Sequence, residues 1–426
     1  MNYQAARDLL LSLAHPLNTE RISLDQSEGR VLAGALTAEE NVPAFDRSPY
    51  DGYAFRSQDT ADASKEHPVT LQILEEVPAG SVPVSKVTEG TAVKILTGAP
   101  IPEGADAVIM YEKTQFTAQE VTLFSPVRPG DNIVFAGEDV RKGELLAKAG
   151  MVIDPGLAGA LASQGQLEPL VYRKPVIGII STGSELAEPV NASKTAGRAE
   201  SGDSSEKTDV AAPVRFMAVP AGKIRNSNRY TFAAALARDG GSPVYLGTAS
   251  DDAEEIAALI RQGLSSCDMV LLTGGVSAGD YDLTPEAMEL AGCELLVKGV
   301  GLKPGMACCY GISAGKLVCG LSGNPSSALT NYYAVLRPSV RRITGRADYL
   351  PEEITVTLGN AFRKKSKGLR LIKGRLRFED GQAVMDLPKG QGNVMISSSI
   401  GCDLIGIVPA GSGPLEQGTR IQAFLV

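Results

Sequence analysis

The sequence predicts a multidomain α/β protein: a central domain built on a parallel sheet, flanked by two smaller β-rich units. Three observations predict it. Between Lys174 and Arg342 short apolar runs alternate with stretches of helical periodicity, the pattern of strands covered by helices. From about Val69 to Val140, and again from Leu350 onward, short alternating runs are punctuated by Gly, Pro and Asp, as in β-rich units joined by turns. At 426 residues the chain has room for about two to four domains with substantial cores.

Taken in order, Met1 to Leu10 reads as an amphipathic helix that ends near Pro16, and Arg30 to Ala38 as a helical or extended stretch. Val69 to Leu74 and Ala92 to Leu96 alternate as strands do, and Pro155 to Gln166 returns to helical character. In the central region, Pro175 to Ile180, Pro243 to Gly247, Met269 to Leu272 and Leu295 to Val297 read as short buried strands. Arg229 to Arg238, Ala253 to Leu264 and Pro325 to Val340 read as helices. Asn191 to Asp209 is polar and small, with too little apolar surface to order itself, and reads as a flexible insertion. Ile354 to Leu358, Leu404 to Val408 and Arg420 to Leu425 suggest a C-terminal barrel or sandwich.

Composition narrows the function. A formal charge of −8 argues against a nucleic-acid surface. No apolar run approaches the ~20 residues of a membrane span, and the N-terminus lacks the basic start and apolar core of a signal peptide. A cytoplasmic protein is expected. Its six cysteines contain no C-x-x-C pair and read as reduced and mostly buried, with Cys308-Cys309 on a core strand. The two histidines, His15 and His67, stand apart from every glycine-rich or acidic motif. Carboxylates, lysines, hydroxyls and a bound cation are therefore the expected chemical groups.

Five segments carry that chemistry. The first runs from Leu271 to Asp282, an apolar strand entering Thr273-Gly274-Gly275-Val276-Ser277 and ending in carboxylates. Glycines let backbone approach a ligand and successive N–H groups form an anion-binding concavity, while the carboxylates hold the Mg²⁺ that accompanies phosphate. Ser181-Thr182-Gly183-Ser184-Glu185 repeats the strand, polar turn and acid. Gly320-Leu321-Ser322-Gly323-Asn324-Pro325 precedes a helix, with Pro325 suited to its first turn. Asp51 lies in a tight turn between Pro49 and Gly52, where it serves either as a turn cap or in function. Thr97 and Gly98 lie among prolines, in a loop held in one shape or in a long β-connection.

Together DGYA at Asp51, LTGAPIPEGADAV at Leu96, GEDV at Gly137, STGSEL at Ser181, N-S-N at Asn226, TGGVSAGDYD at Thr273, KPG at Lys303 and GLSGNPSSA at Gly320 occur in a family order. They span nearly the whole chain, which resembles the molybdopterin molybdenumtransferases and the C-terminal domain of gephyrin. The resemblance implies an elongated chain in four parts. Residues 1–52 with 139–172 would form an elongated helical linker, and 53–138 a β-rich lever. Residues 173–342 would be the molybdopterin-binding α/β domain, with 187–221 as its flexible insertion, and 343–426 a β-barrel.

It also implies Mg²⁺-assisted insertion of molybdate into adenylylated molybdopterin with release of AMP, in a homodimer with a shared active site. A molybdopterin adenylyltransferase is the implied partner. Asp51 and Thr97 would be contributed across the dimer interface. Asp139, Glu185, Asp251 and Asp282 would be the functional carboxylates, with Asp251 and Asp282, 31 residues apart, and Glu185 arranging the metal. Lys303 would neutralise phosphate or molybdate. Ser181, Thr182, Gly183, Thr273, Gly274, Gly275, Ser277, Ser322, Gly323 and Asn324 would line the pterin-nucleotide site.

Four positions depart from the family pattern. Met306 and Gly299 stand where lysines are usual, although Lys298 adjoins the second; Ser322 replaces a proline; and the arginine of the last domain matches most nearly Lys373. Each missing charge-assisted contact removes roughly 1.5–3 kcal/mol from a bound dianion. A diverged pterin-binding carrier or scaffold, or a tungstate-using variant, is the alternative these changes leave open.

Overall fold

The computed structural model describes residues 1–187, 219–276 and 283–426. The insertion expected at 191–209 lies outside the described residues, as do Ser277 and Asp282. The central sheet has six strands in the order Ser242–Ala249, Val176–Thr182, Met269–Thr273, Lys316–Leu321, Cys308–Ser313 and Glu294–Lys298. The first four are mutually parallel. Met269–Thr273 is buried at every residue, the continuous apolar run of a strand covered on both faces.

The expected parallel sheet is in fact mixed, because Cys308–Ser313 and then Glu294–Lys298 join it antiparallel. Ala314 and Gly315, both at positive φ (49° and 76°), make a two-residue connection. So tight a turn returns the chain alongside itself, and a parallel strand needs a longer crossover. Cys308 and Cys309 lie on that hairpin as buried free thiols.

Local chemistry explains the helix ends. Asn226 caps Ser227–Arg238 by accepting from the Arg229 N–H, and Asp252 caps Ala253–Ser266 by accepting from Glu255. The helix expected over Pro325 to Val340 is Pro325–Asn331, a π-helical turn Tyr332–Leu336 and then Arg337–Ile343. Pro338 has no N–H to bond back one turn, and the ladder is displaced just before it.

The N-terminal helix Tyr3–Leu13 turns Tyr3, Ala6 and Leu10 into the central core, among Phe232, Tyr332 and Val335. It therefore packs with the central domain, whereas the resemblance assigned it to a linker. The rest of that expected helical linker is largely extended: Thr19–Arg21 pairs with Leu170–Tyr172, and Leu36–Thr37 with Leu145–Ala147. Pro155–Ser163, capped by Asp154, is helical as expected.

Residues from Gly52 to Leu123 build a six-stranded sheet with a core on each face. A Cβ on Gly52 would fall 1.9 Å from the Ile109 carbonyl oxygen, so only glycine lets the strand after Asp51 pair there. Glu353–Leu358, Gln382–Asp386, Arg370–Glu379, Leu404–Val408 and Arg420–Leu425 close into a barrel. Leu371, Ile405 and Phe424 of this barrel contribute to the central core. Among the described residues no helix is long and apolar enough to cross a membrane.

One buried ion cluster ties these parts together. Asp239, fully buried, accepts from Arg337 Nε (2.9 Å), Arg341 Nε (2.9 Å) and the Tyr332 hydroxyl (2.8 Å). Arg337 Nη1 also donates to Leu425 O of the barrel (3.4 Å). Burial pushes the Asp239 carboxyl up, but Arg337 and Arg341 outweigh it and hold it below the ordinary range. Asp239→Asn strands the buried Arg337 guanidinium and the half-buried one of Arg341 and is expected to cost on the order of 3–5 kcal/mol in urea unfolding. Because the folded carboxyl is depressed, its contribution is complete above about pH 4 and fades as pH falls through the folded value. The gap between wild type and variant should narrow in that acid range; a gap of under about 0.5 kcal/mol at pH 7 contradicts this account.

Candidate functional site

A cavity of about 750 Å³ opens at the carboxyl ends of Val176–Thr182 and Met269–Thr273. From the first of these strands the chain passes to one neighbour, Ser242–Ala249, and then to the other, Met269–Thr273. Such a reversal of strand order leaves a crevice between the two strand ends.

The cavity floor is made of three close turns. Gly274 and Gly275 have φ of +106° and +64°, and a Cβ on Gly274 would lie 2.4 Å from Thr182 Oγ1. A Cβ on Gly275 would lie 2.6 Å from Thr284 Oγ1. Thr284 Oγ1 donates to Gly274 O (3.0 Å), and Gly274 N donates to Leu321 O (2.9 Å). Gly323 lies beside Gly274, where a Cβ would sit at ordinary van der Waals distance (3.5 Å) from Gly274 Cα. At Gly274 and Gly275 glycine is required by conformation and by space, and the resulting floor is bare backbone suited to an anion.

The acidic wall comes from the strand ends. Asp251 and Glu185 both line the cavity. Ser184 fixes the first of these: its N–H (3.1 Å) and hydroxyl (2.7 Å) both bond Asp251 Oδ2. The Glu185 carboxylate folds back over Gly183, where a Cβ would lie 2.4 Å from Oε2. Asp282, the third expected carboxylate, lies outside the described residues. Among the described residues the carboxylates that line the cavity are Asp251 and Glu185.

Of the other expected lining residues, Thr182, Gly183, Thr273, Gly274, Gly275, Ser322, Gly323 and Asn324 border the cavity. Ser181 does not: it sits behind the wall, fully buried, where its hydroxyl accepts from Asn226 Nδ2 (2.9 Å). Lys303 is exposed and outside the lining; its backbone joins the barrel through Lys303 N to Leu369 O (3.0 Å) and Leu371 N to Lys303 O (2.7 Å). Asp139 is exposed on a loop where its N–H donates to Val42 O (3.0 Å).

Asp51 and Thr97 meet each other but not this cavity. Thr97 N and Oγ1 both donate to Asp51 Oδ1 at 2.7 Å, and these bonds hold the Asp51 carboxyl below its ordinary range. Both residues are exposed. Phe45, Tyr50, Val82, Val84 and Phe135 of the N-terminal region are exposed apolar side chains.

The barrel closes one side of the cavity. Val394 and Ile396 line it, and Asn393 O accepts from Ser327 N (3.2 Å) in the first turn of Pro325–Asn331. Lys373 is buried, and its ammonium donates to Ser326 O (3.0 Å) and Ser326 Oγ (2.5 Å). Burial pulls that ammonium down to about 8, against the opposing effect of Cys402. Lys373 therefore braces the barrel against the helix and is not on the cavity wall.

Residues without an assigned role in the sequence also line the cavity. Asn226 and Asn228, at either end of N-S-N, border it, with Asn228 Nδ2 donating to Gly323 O (2.9 Å). Their spacing at a helix start was the available signal. Val394 and Ile396 carried none, since only the closed barrel brings them there.

Family models match two long stretches: "MoeA N-terminal region (domain I and II)" over residues 1–165 and "Probable molybdopterin binding domain" over residues 178–342. The chain is 34% identical over 415 residues to the molybdopterin molybdenumtransferase of Bacillus subtilis (strain 168), covering 96% of this chain and 90% of that protein. It is 32% identical over 407 residues to the molybdopterin molybdenumtransferase of Staphylococcus aureus (strain Mu50), covering 95% and 90%. Among solved structures, the molybdopterin biosynthesis moeA protein of Pyrococcus horikoshii OT3 superposes with a TM-score of 0.78 at 30% identity, covering 100% of each chain.

Proposed function

The chain belongs to the molybdopterin molybdenumtransferases, enzymes of molybdenum cofactor biosynthesis that insert molybdate into molybdopterin, and on that premise we propose how its cavity serves the reaction. The substrate is adenylylated molybdopterin, supplied by a molybdopterin adenylyltransferase, and the reaction releases AMP in the cytoplasm. One observation carries this reading: a bare-glycine floor and two carboxylates share a single wall.

A divalent cation fits that wall. Both bonds from Ser184 go to Asp251 Oδ2, which leaves Oδ1 for a ligand. Mg²⁺ is ordinarily held by one or two carboxylates, its remaining positions taken by water and phosphate oxygens. Asp251 and Glu185 would hold it, and it would neutralise charge on the phosphate linkage. Ser184 keeps Asp251 aimed at that linkage, and the turns at Gly274 and Gly323 admit the phosphates to backbone N–H groups. Val394 and Ile396 shield the opposite side from water. Water attacks the adenylate phosphorus and forms a new P–O bond as the P–O bond to the molybdopterin phosphate breaks, giving AMP and molybdopterin. The two dithiolene thiols then bind molybdate, their protons leaving with one molybdate oxygen as water. In this reading the residues that line the cavity bind and orient the reactants.

A second copy completes the site. The Asp51–Thr97 pair is exposed, as are Phe45, Tyr50 and Phe135 of the same N-terminal region, and a second copy would cover them. Placed over the partner's cavity, this region buries those rings and adds a carboxylate and a hydroxyl.

The test is direct. Purified protein mixed with adenylylated molybdopterin, Mg²⁺ and molybdate should release AMP in step with molybdenum bound to the pterin. Absence of AMP release at every molybdate concentration overturns the proposal.

A further inference from the structure

The cavity lining changes chemistry along its length, and the order of the strands fixes that change. Val176–Thr182 leads to Glu185, Met269–Thr273 to Gly274, and Lys316–Leu321 to Ser322, all of which line the cavity. The three strands are consecutive neighbours in the sheet. At roughly 4.8 Å per step, the first and third strand ends stand about 10 Å apart with the glycine turn between them. Beside the first end, Leu186 and Ile224 are register partners on paired strands, and both line the cavity. Ile224 N donates to Glu185 O (2.9 Å), and the Ile224 side chain is exposed. Beyond the third end stand Val394 and Ile396, on a loop tied to Ser327 N through Asn393 O (3.2 Å). Both are exposed. Met395 between them is not in the lining and lies over its own loop, where a Cβ on Gly392 would be 3.1 Å from Met395 Cγ. An apolar pair therefore flanks the glycine floor on either side.

Resting on the function proposed above, we infer that these two apolar pairs are platforms for the two ring systems of the substrate, one for the pterin and one for the adenine. A diphosphate carrying a ring system at each end has the same order of chemistry as the cavity: apolar, anionic, apolar. A ring laid on exposed valine or isoleucine removes apolar surface of both from water. These side chains offer no hydrogen bond to phosphate oxygen, so a charged linkage is disfavoured on them and settles on the glycine turn beside the carboxylates.

Calorimetry on the whole chain with Mg²⁺ reads each platform through two probe pairs. AMP against ribose 5-phosphate isolates the adenine, and the phosphate ester of 6-hydroxymethylpterin against methyl phosphate isolates the pterin. Wild type is expected to favour the ring-bearing member of each pair by about tenfold or more. Val394→Ser with Ile396→Ser should reduce one of these preferences to under about threefold, and Ile224→Ser should reduce the other. Val394→Leu, which keeps an apolar side chain, should retain both, as should Ile400→Ser, an exposed apolar position of the same loop outside the lining. All of these side chains but Ile396 are well exposed, so matching thermal transitions are expected. A wild type without ring preference, preferences that survive the serine substitutions, or two variants that weaken the same probe would each overturn the inference and leave the proposed function intact. Failure of wild type to bind adenylylated molybdopterin itself would instead overturn the function.

Discussion

Asp251→Asn is expected to lower the apparent Mg²⁺ affinity of AMP release by at least about 100-fold and to leave almost no turnover at millimolar Mg²⁺. The reason is geometric. Ser184 already satisfies Oδ2 with two donors, so the remaining oxygen is the one a cation meets. An amide in its place offers no charge and can turn its NH₂ toward the metal. Loss of groups that merely orient metal ligands costs 10–100-fold, and loss of a ligand costs at least as much. The side chain is exposed at the cavity mouth, so folding should be unchanged, which a matching thermal transition would confirm. An Asp251→Asn enzyme with wild-type Mg²⁺ dependence would remove this residue from the metal site. Glu185→Gln in the same titration should give a smaller shift, since among the described residues no hydrogen bond of the kind Ser184 supplies to Asp251 pins that carboxylate.

Mixing two inactive variants should restore activity. Asp51→Ala removes the exposed tip, and Asp251→Ala removes the cavity wall, in separate subunits. After random exchange about half the dimers are mixed, and each mixed dimer has one site with both residues intact, so about a quarter of wild-type activity should return. The structure supplies the premise: the Asp51–Thr97 pair is bonded within itself and excluded from the cavity lining of its own chain. If mass spectrometry verifies exchange and no activity appears, the two residues do not meet across an interface.

Much of the site was legible because its chemistry is local. Gly274 and Gly275 stand out in sequence since only glycine satisfies both the positive φ and the close approach there. Asp251 and Glu185 follow strands whose ends necessarily converge at one edge of a parallel sheet. Ser181 misled for an equally local reason: alternation along the strand sends Thr182 to the cavity and Ser181 to Asn226.

What remained hidden depends on distant pairing. The antiparallel hairpin at Cys308–Leu321 is as apolar as the parallel strands beside it, and periodicity does not report direction. The strand Arg370–Glu379 carries charges along much of its length and resembles surface until the barrel closes. The first helix shows its apolar stripe plainly, yet nothing in that stripe says which domain receives it. Lys373 offered a charge where the family has one, and its position shows that charge occupied by Ser326. Among the described residues Arg225 is the basic residue in the cavity lining, and Met306, exposed on its loop, is not part of that lining.

The most direct measurement is anomalous diffraction from crystals holding adenylylated molybdopterin with Mn²⁺ in place of Mg²⁺. A manganese peak about 2.0–2.2 Å from a carboxylate oxygen of Asp251 or Glu185, and touching the phosphate linkage, is the predicted result. Substrate bound in the cavity with its manganese held elsewhere, or with the phosphates away from Gly274, would contradict the account.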